Sequence, residues 1–461
     1  MILLIDKNNI QNRALLMDEN RLVKIYIENK YEEDICDNIY VGKIKGISDK
    51  MKVAFVDIGF KKEAIMPLFS NQYTINQDVI VQVSREAKGN KGPRVKDKLQ
   101  LKGRYIILNI NSKEISISTK NKNFNTQHLN NYDGRYGYII RTNTTIEDIK
   151  EVEEEYYRLS NIADGILQRQ SFIKPPYLIY KNNEFYKNIE DEILDKNIEL
   201  IKVNNEKLKR ELSKRDIFKD KHIIIDENIP YFIEEVIKNN SSRVITMKNG
   251  GSVIVDLTEA FTIIDVNSSL STNINNAFEI NKEACDVIID FIIKYNLNGN
   301  ILIDFIDLDF KKRKELEKYV NEIIEKKNLD LQVIGFTKLG IMEASRKRYN
   351  KSFFEKYYDI ELKTKSIYTI LREIELLLTQ KNSSEIYILI NNSVYLQNES
   401  IINKLVNEIQ KKNKTKIKLI AGDIKDYKII DDELELNLIR NKNNLSIVEE
   451  DDDKIIIQIK K

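Results

Sequence analysis

Apolar residues come in short runs at the start of the chain. MILLI, ALLM and LVKIYI are separated by Asp18-Glu19-Asn20 before the last of them. This predicts a strand followed by a hairpin. IYVGKIKGI, VAFVDIG, KEAIMPL, VIVQVSRE and a long stretch from Arg94 onward then read as strands. Five short strands over about 70 residues, nearly free of helix signals, predict a small Greek-key barrel of the OB type. After Tyr105 the texture is mixed, with strands near 106–108, 115–118 and in YGYIIRT. Thr145, with Glu147 and Asp148 behind it, marks a helix start, and the helix is expected to run to about Ile162. Pro175-Pro176 closes this unit, and the charged stretch from about Phe185 to Asn240 is expected to be largely helical with a solvated face.

Past Asn249-Gly250-Gly251, the segments GSVIVDL, FTIIDVN, ILIDFIDL and LQVIGF read as buried strands. Between the second and third, Ile280, Ala284, Val287, Ile288, Phe291 and Ile292 share one face of a helix that Asn298-Gly299 is expected to cap. That makes an α/β layer. From about Asn350, two amphipathic helices and the strands EIYILIN and KIKLIAG predict a small further α/β domain, with a solvated acidic run from Glu449 to Asp453.

Composition narrows the chemistry. A chain of 461 residues calls for two to four domains. No run of 18 apolar residues occurs, so no membrane span is expected, and the start lacks a secretory signal, which makes the cytoplasm the expected location. Cys36 and Cys285 are the only cysteines, and His128 and His222 the only histidines. A disulfide framework, a four-thiolate zinc site and a His-rich centre are thereby excluded. Any metal must rest on oxygen ligands, which suit magnesium or manganese. Lys plus Arg total 74 against 72 for Asp plus Glu, so only the local distribution of charge is informative.

One local excess stands out. Arg85, Lys88, Lys91, Arg94, Lys96, Lys98, Lys102 and Arg104 face only Glu86 and Asp97 across 85–104. From 94 onward the cations sit at even positions while Val95, Leu99 and Leu101 are odd. A strand here would have one basic and one apolar face, as a phosphate-tracking groove requires. A solvated edge strand would carry the same alternation.

Two carboxylates stand inside apolar strand sequences. In Ile263-Ile264-Asp265-Val266-Asn267, Asp265 and Asn267 point to one face. Asp304 lies in Ile301-Leu302-Ile303-Asp304-Phe305 and is expected to be buried. Two such carboxylates offset each other's cost by sharing a divalent cation, with Asn267 free to donate to a phosphate; hydrogen bonds to backbone at strand ends would serve as well. Arg141-Thr142 before the helix start combines a guanidinium fork, a hydroxyl and helix-terminal N–H groups, which suit a terminal phosphate; a surface Arg beside a turn Thr reads the same way.

GGSVIVDLTEAFTIIDVNS, the following helix and ILIDFIDL together resemble the catalytic core of the ribonuclease E/G family. So does GFTKLGIMEASRKR, with Lys338 where an Arg is common, and IYVGKIKGISDKMKVAFVDIGFKKEAIMPL resembles that family's S1-type OB barrel. The resemblance covers most of the chain. It implies a multidomain α+β protein: a ribonuclease-H-like subdomain from 1–38 with 185–240, an S1-type OB-fold at 39–104, a 5′-phosphate sensor region at 105–184, a deoxyribonuclease-I-like catalytic domain at 241–349 and a small C-terminal domain at 350–461. It assigns the magnesium site to Asp265, Asn267 and Asp304, with the two aspartates as metal ligands and manganese an alternative ion. RNA contacts fall to Phe55, Ile65 (an aliphatic where a second stacking aromatic is expected), Lys91 and Lys338, and 5′-monophosphate recognition to Arg141 and Thr142.

The chain departs from the family in two places. The loop SSLSTNINNAFE is short where a Gly- and Arg-rich loop is usual, so local RNA contacts differ. SRKRYNKSFFEKYYDIELKTK has no Cys-Pro-x-Cys, so no structural zinc is expected. A homo-oligomer would have to use surface such as Phe353, Phe354, Tyr357 and Tyr358. The implied activity is a magnesium-dependent endoribonuclease on single-stranded RNA, leaving 5′-phosphate and 3′-hydroxyl ends, in ribosomal RNA maturation and messenger RNA decay. A non-catalytic RNA-binding or ribosome-associated factor with a vestigial metal site is the alternative, opposed by retention of all three site residues. A deoxyribonuclease is disfavoured by the RNA-type barrel and phosphate pocket.

Overall fold

The computed structural model describes residues 1–32, 35–68, 73–86, 92–119, 121, 124–142, 144–182, 185–186, 189–190, 197–258, 260–268, 277–327, 329–347, 351–359, 364–380, 385–422, 424, 427–430, 445–451 and 454–459, the last two segments as backbone only. The chain divides into two compact units, Met1–Glu33 with Asn188–Lys461, and Asp34–Lys187. It opens with an antiparallel meander of β1 (Ile2–Asp6), β2 (Gln11–Asp18) and β3 (Arg21–Asn29). The hairpin turns at Glu19, which adopts φ 53°.

In the second unit, β4 (Ile39–Ser48), β5 (Val53–Asp57), β6 (Ala64–Pro67), β7 (Asp78–Arg85) and β8 (Arg94–Lys96) run in the order β4-β5-β6-β8-β7, and β7 pairs back on β4. This is the expected five-stranded barrel, filled by Ile44, Val56, Met66, Val81 and Val83. The long strand expected from Arg94 is instead two strands in two sheets. β9 (Gln100–Lys102) joins β10 (Ile106–Asn109), β11 (Ile115–Ile117) and β12 (Gly137–Ile140) in the order β11-β12-β10-β9. The break has a physical cause. The Tyr73 hydroxyl donates to Asp97 at 2.8 Å, and the Leu99 N–H donates to Asn111 Oδ1 at 2.7 Å instead of to a strand. Alternation persists across the break because Val95 fills one core while Leu99 and Leu101 fill another.

Helix α1 (Ile149–Gln170) covers the second sheet and outruns the expected end, since Ala163 and Ile166 extend its buried stripe. Pro175-Pro176 does not end the unit, because β13 (Tyr177–Tyr180) returns to pair with β4. Back in the first unit, β14 (Leu200–Val203) and β15 (Ile223–Ile225) add in parallel to β1, with α2 (Glu206–Ser213) between them and α3 (Ile229–Asn240) after them. The stretch expected to be largely helical thus contains two strands, and their runs of Ile and Val suit a buried sheet.

The next layer is a six-stranded sheet of β16 (Val244–Thr246), β17 (Ser252–Leu257), β18 (Phe261–Asn267), β19 (Gly299–Asp304), β20 (Leu331–Phe336) and β21 (Ile341–Arg346), in the order β16-β17-β18-β19-β21-β20. Helices α4 (Ala277–Lys294) and α5 (Phe310–Lys326) pack with the sheet into one core. Helix α4 buries the expected face, Ile280, Ala284, Ile288, Phe291 and Ile292, with Val287 partly buried beside it. Its stop is not Asn298-Gly299 but Asn296, at φ 51°, where the Leu297 N–H reaches back to the Ile292 carbonyl at 3.0 Å.

A short α6 (Phe353–Tyr357) leads to the paired β22 (Tyr358–Asp359) and β23 (Thr364–Lys365). The C-terminal part holds α7 (Ile367–Gln380), β24 (Glu385–Asn391), α8 (Asn392–Asn413), β25 (Lys416–Gly422), β26 (Lys428–Ile430), β27 (Leu445–Asp451) and β28 (Lys454–Ile459), with sheet order β26-β24-β25-β28-β27. The buried Arg372 on α7 pairs with Asp6 on β1 at 2.6 Å. Among the described residues no helix is long and apolar enough to cross a membrane.

The aromatics offered as an association surface are internal. Phe353, Phe354 and Tyr357 are 4%, 4% and 2% exposed, and Tyr358 is partly buried. Phe354 stacks on Phe291 at 5.7 Å, and Phe353 meets Tyr295 at 5.3 Å. The sequence gives them an exposed setting only because the flanking run is so charged. Phe354→Ala is therefore expected to lower the unfolding free energy by about 3–5 kcal/mol in a denaturant titration. Its mass in sedimentation should match that of the parent chain.

Candidate metal site and nucleic-acid interface

Strand β18 sends Thr262, Ile264 and Val266 into the core and turns Phe261, Ile263, Asp265 and Asn267 to the opposite face. Strand β19 likewise buries Ile301 and Ile303 and turns Leu302 and Asp304 outward. The two strands are parallel, with Asp265 in register with Asp304. The carboxylates are thus cross-strand neighbours on one face, a ladder spacing of about 4.8 Å apart. The expected burial of Asp304 is corrected: it is exposed, and Asp265 is half-buried. What sets the pair apart is like charge side by side, not desolvation.

Ile254 on β17 and Ile341 on β21 complete the row, flanking the acids with apolar side chains. Asn267 Nδ2 donates to Asp265 Oδ2 at 2.7 Å, which orients that carboxylate and leaves the second amide hydrogen available. Among the described residues no Lys or Arg pairs with either acid, whereas Asp256, on the same strand pair, is neutralised by Arg243. No cluster of three or more His, Cys, Asp or Glu occurs among the described residues. Two carboxylates beside an amide fit magnesium, which keeps several waters and takes phosphate oxygens; they do not make a closed zinc site. The thiols offer no alternative chemistry: both are buried, and burial pushes the Cys285 thiol up, away from its reactive form. Lys338 is exposed in the turn between β20 and β21, closed by the Thr337 N–H to the Ile341 carbonyl at 2.9 Å. It therefore lies three positions before the residue paired with Asp304.

On the barrel, Phe55 pairs in register with Ile65, and Ile65 with Arg94. Phe55 and Ile65 are half-buried and Arg94 is exposed. Gly46 lies beside Phe55, and even a Cβ there would stand only 3.6 Å from the ring. Arg94 belongs to the basic stretch, but its place beside Ile65 depends on a parallel β6–β8 pairing that has no local sequence signal. Other members of the stretch are engaged: Lys102 pairs with Asp37 at 2.6 Å, and Lys96 donates to Gln100 at 2.6 Å. Lys91 lies outside the described residues.

Arg141 and Thr142 sit at the end of β12. Arg141 Nη1 donates to the carbonyls of Gly103 at 2.6 Å and Arg104 at 3.3 Å, and Thr142 Oγ1 meets Ser118 Oγ at 3.1 Å. Glu155 on α1, 8% exposed, accepts the N–H groups of Arg104, Tyr105 and Ile106 at 2.8, 2.7 and 3.0 Å. It was not singled out in the sequence because it lies among other acids on a charged helix. At the expected helix start, one backbone donor is already used. Asp148 already accepts from the Thr145 N–H and hydroxyl at 2.7 and 2.8 Å.

The family model described as the Ribonuclease E/G family matches residues 100–349, more than half of the chain. The chain belongs to the ribonuclease E/G family. It is 30% identical over 377 residues to the putative ribonuclease E of Buchnera aphidicola subsp. Baizongia pistaciae (strain Bp), covering 72% of this chain and 92% of the relative. Against ribonuclease G of Escherichia coli (strain K12), identity is 26% over 395 residues, 76% of this chain and 80% of the relative. With ribonuclease E of Buchnera aphidicola subsp. Schizaphis graminum (strain Sg) it is 28% over 390 residues, 76% of this chain but 40% of the relative. For the ribonuclease E of Haemophilus influenzae the share of the relative is 49%, so the chain spans about half or less of these longer members.

The family's matched region begins beside the Arg104–Glu155 cluster. Glu155→Ala should leave one buried and two partly buried N–H groups without their acceptor. Loss of at least about 1.5–3 kcal/mol of unfolding free energy is expected, read by denaturant titration.

Proposed function

We propose that this chain is a magnesium-dependent endoribonuclease that hydrolyses single-stranded RNA to 5′-phosphate and 3′-hydroxyl ends. The observation that carries this reading is the in-register pairing of Asp265 with Asp304 on the open face of the sheet, with Asn267 bonded to the first. Asp265 and Asp304 would hold the ion, magnesium or manganese. When bound, it stabilises charge on the phosphate and makes a water more acidic. Asn267 orients Asp265 with one amide hydrogen and offers the other to a phosphate oxygen. Phe55 and Ile65 receive bases, and Arg94 supports the strand's charge. Arg141 and Thr142 recognise a 5′-monophosphate. The names of the relatives, ribonucleases E and G, support RNA as the substrate. Ribosomal RNA maturation and messenger RNA decay are the processes that such an activity would serve.

Asp304→Asn should lose at least 100-fold in cleavage of a 5′-monophosphorylated single-stranded RNA at saturating magnesium while its affinity for that RNA is kept, because removing a ligand charge strips transition-state stabilisation and leaves the barrel intact. Near-parental turnover would reject the two-aspartate site. Separately, cleavage should be about tenfold or more faster on 5′-monophosphate than on 5′-hydroxyl or 5′-triphosphate RNA, the worth of one charge-assisted hydrogen bond. Arg141→Ala should erase that preference. If it keeps the preference in full, the 5′-end assignment is wrong and the nuclease assignment is untouched.

A further inference from the structure

Strand β19 stops at Asp304, and the chain goes on through the buried Phe305 and the partly buried Ile306. Backbone polar groups there have lost their ladder partners and must be satisfied elsewhere. Asn281, on α4, is 0% exposed. Its Nδ2 donates to the Ile306 carbonyl at 2.8 Å, and its Oδ1 accepts the Ile306 N–H at 3.1 Å. One amide side chain thus replaces a neighbouring strand, bonding both groups of a single residue. A buried amide among Ile280, Ala284 and Cys285 is costly unless fully bonded, and both of its heavy atoms are used on this one residue. Ile306 lies two residues past Asp304, just as Asn267 lies two residues past Asp265. The clamp therefore acts where the strand that carries Asp304 leaves the sheet.

We infer that Asn281 is a positioning residue for the metal site, acting through the Ile306 backbone to hold Asp304 at the spacing that two-carboxylate binding of a divalent cation requires. This rests on the reading of Asp265 and Asp304 as metal ligands. Asn281 itself touches neither metal nor substrate. Its removal should loosen the end of β19 and lower affinity for the ion while the core of α4 stays packed. Outer partners of metal ligands commonly contribute 10- to 100-fold in affinity.

The test is Mn2+ binding to the full chain without RNA, followed by the spin-resonance signal of the free ion, in five proteins. These are the parent, Asp304→Asn, Asn281→Leu, the milder Asn281→Asp, and Ile288→Ala as a core-damaging control on the same helix. Asn281→Leu is expected to weaken Mn2+ binding about 10-fold or more, and Asn281→Asp to weaken it less. Ile288→Ala should keep the parental affinity despite a comparable fall in Tm. If both Asn281 variants bind Mn2+ like the parent, or no more weakly than Ile288→Ala, the clamp is structural only and the inference falls. Should Asp304→Asn bind like the parent, the metal reading fails first and takes the inference with it.

Discussion

The parallel register of β18 on β19 is the constraint on which the rest turns. Ile264, Val266, Ile301 and Ile303 are buried on one face of that strand pair. Each such side chain is worth roughly 1.5–3 kcal/mol when fully buried. A slip of one residue would turn the buried Ile264 and Val266, or Ile301 and Ile303, to the open face and carry that strand's acid into the core. The opposition of Asp265 and Asp304 is therefore enforced by hydrophobic burial, not by any attraction between them. Two neighbouring carboxylates repel, and the core's preference for its register is large enough to hold them side by side.

Much of this could be read from residue order. Period-two alternation located β17, β18 and β19, and a 3.6-residue period located α4, because each buries a single face. The barrel strands were visible for the same reason. Readings failed where a long-range partner decides. Whether Asp304 faces core or solvent depends on which side α4 and α5 cover. A strand flanked by Ile and Phe on both sides looks buried throughout. The basic run from Arg94 alternates without interruption, so nothing local signals that Tyr73 and Asn111 divide it between two sheets. The aromatics at 353–358 looked available for association because their neighbours in sequence are charged, while their neighbours in space are Phe291 and Tyr295.

The phosphate-facing features divide in a similar way. A helix start was legible at Thr145, but not that Asp148 would take up the Thr145 N–H and hydroxyl as a cap. On the barrel, replacing an aromatic by Ile65 removes a π surface but keeps an apolar one, with a planar guanidinium one strand further along.

The first sheet has a consequence for how the chain is made. Strand β1 pairs with β2 immediately, but its other edge waits for β14, with Ile2 in register with Leu200. All of Asp34–Lys187 intervenes and forms a unit of its own. During synthesis the inserted unit is complete while the hairpin of β1–β3 still presents a bare, strongly apolar edge. Such edges invite pairing with other chains. Nascent protein thus carries this bare edge from the emergence of β1 until residue 203 follows. A ribosome stalled there would expose a ready-made template rather than a harmless fragment.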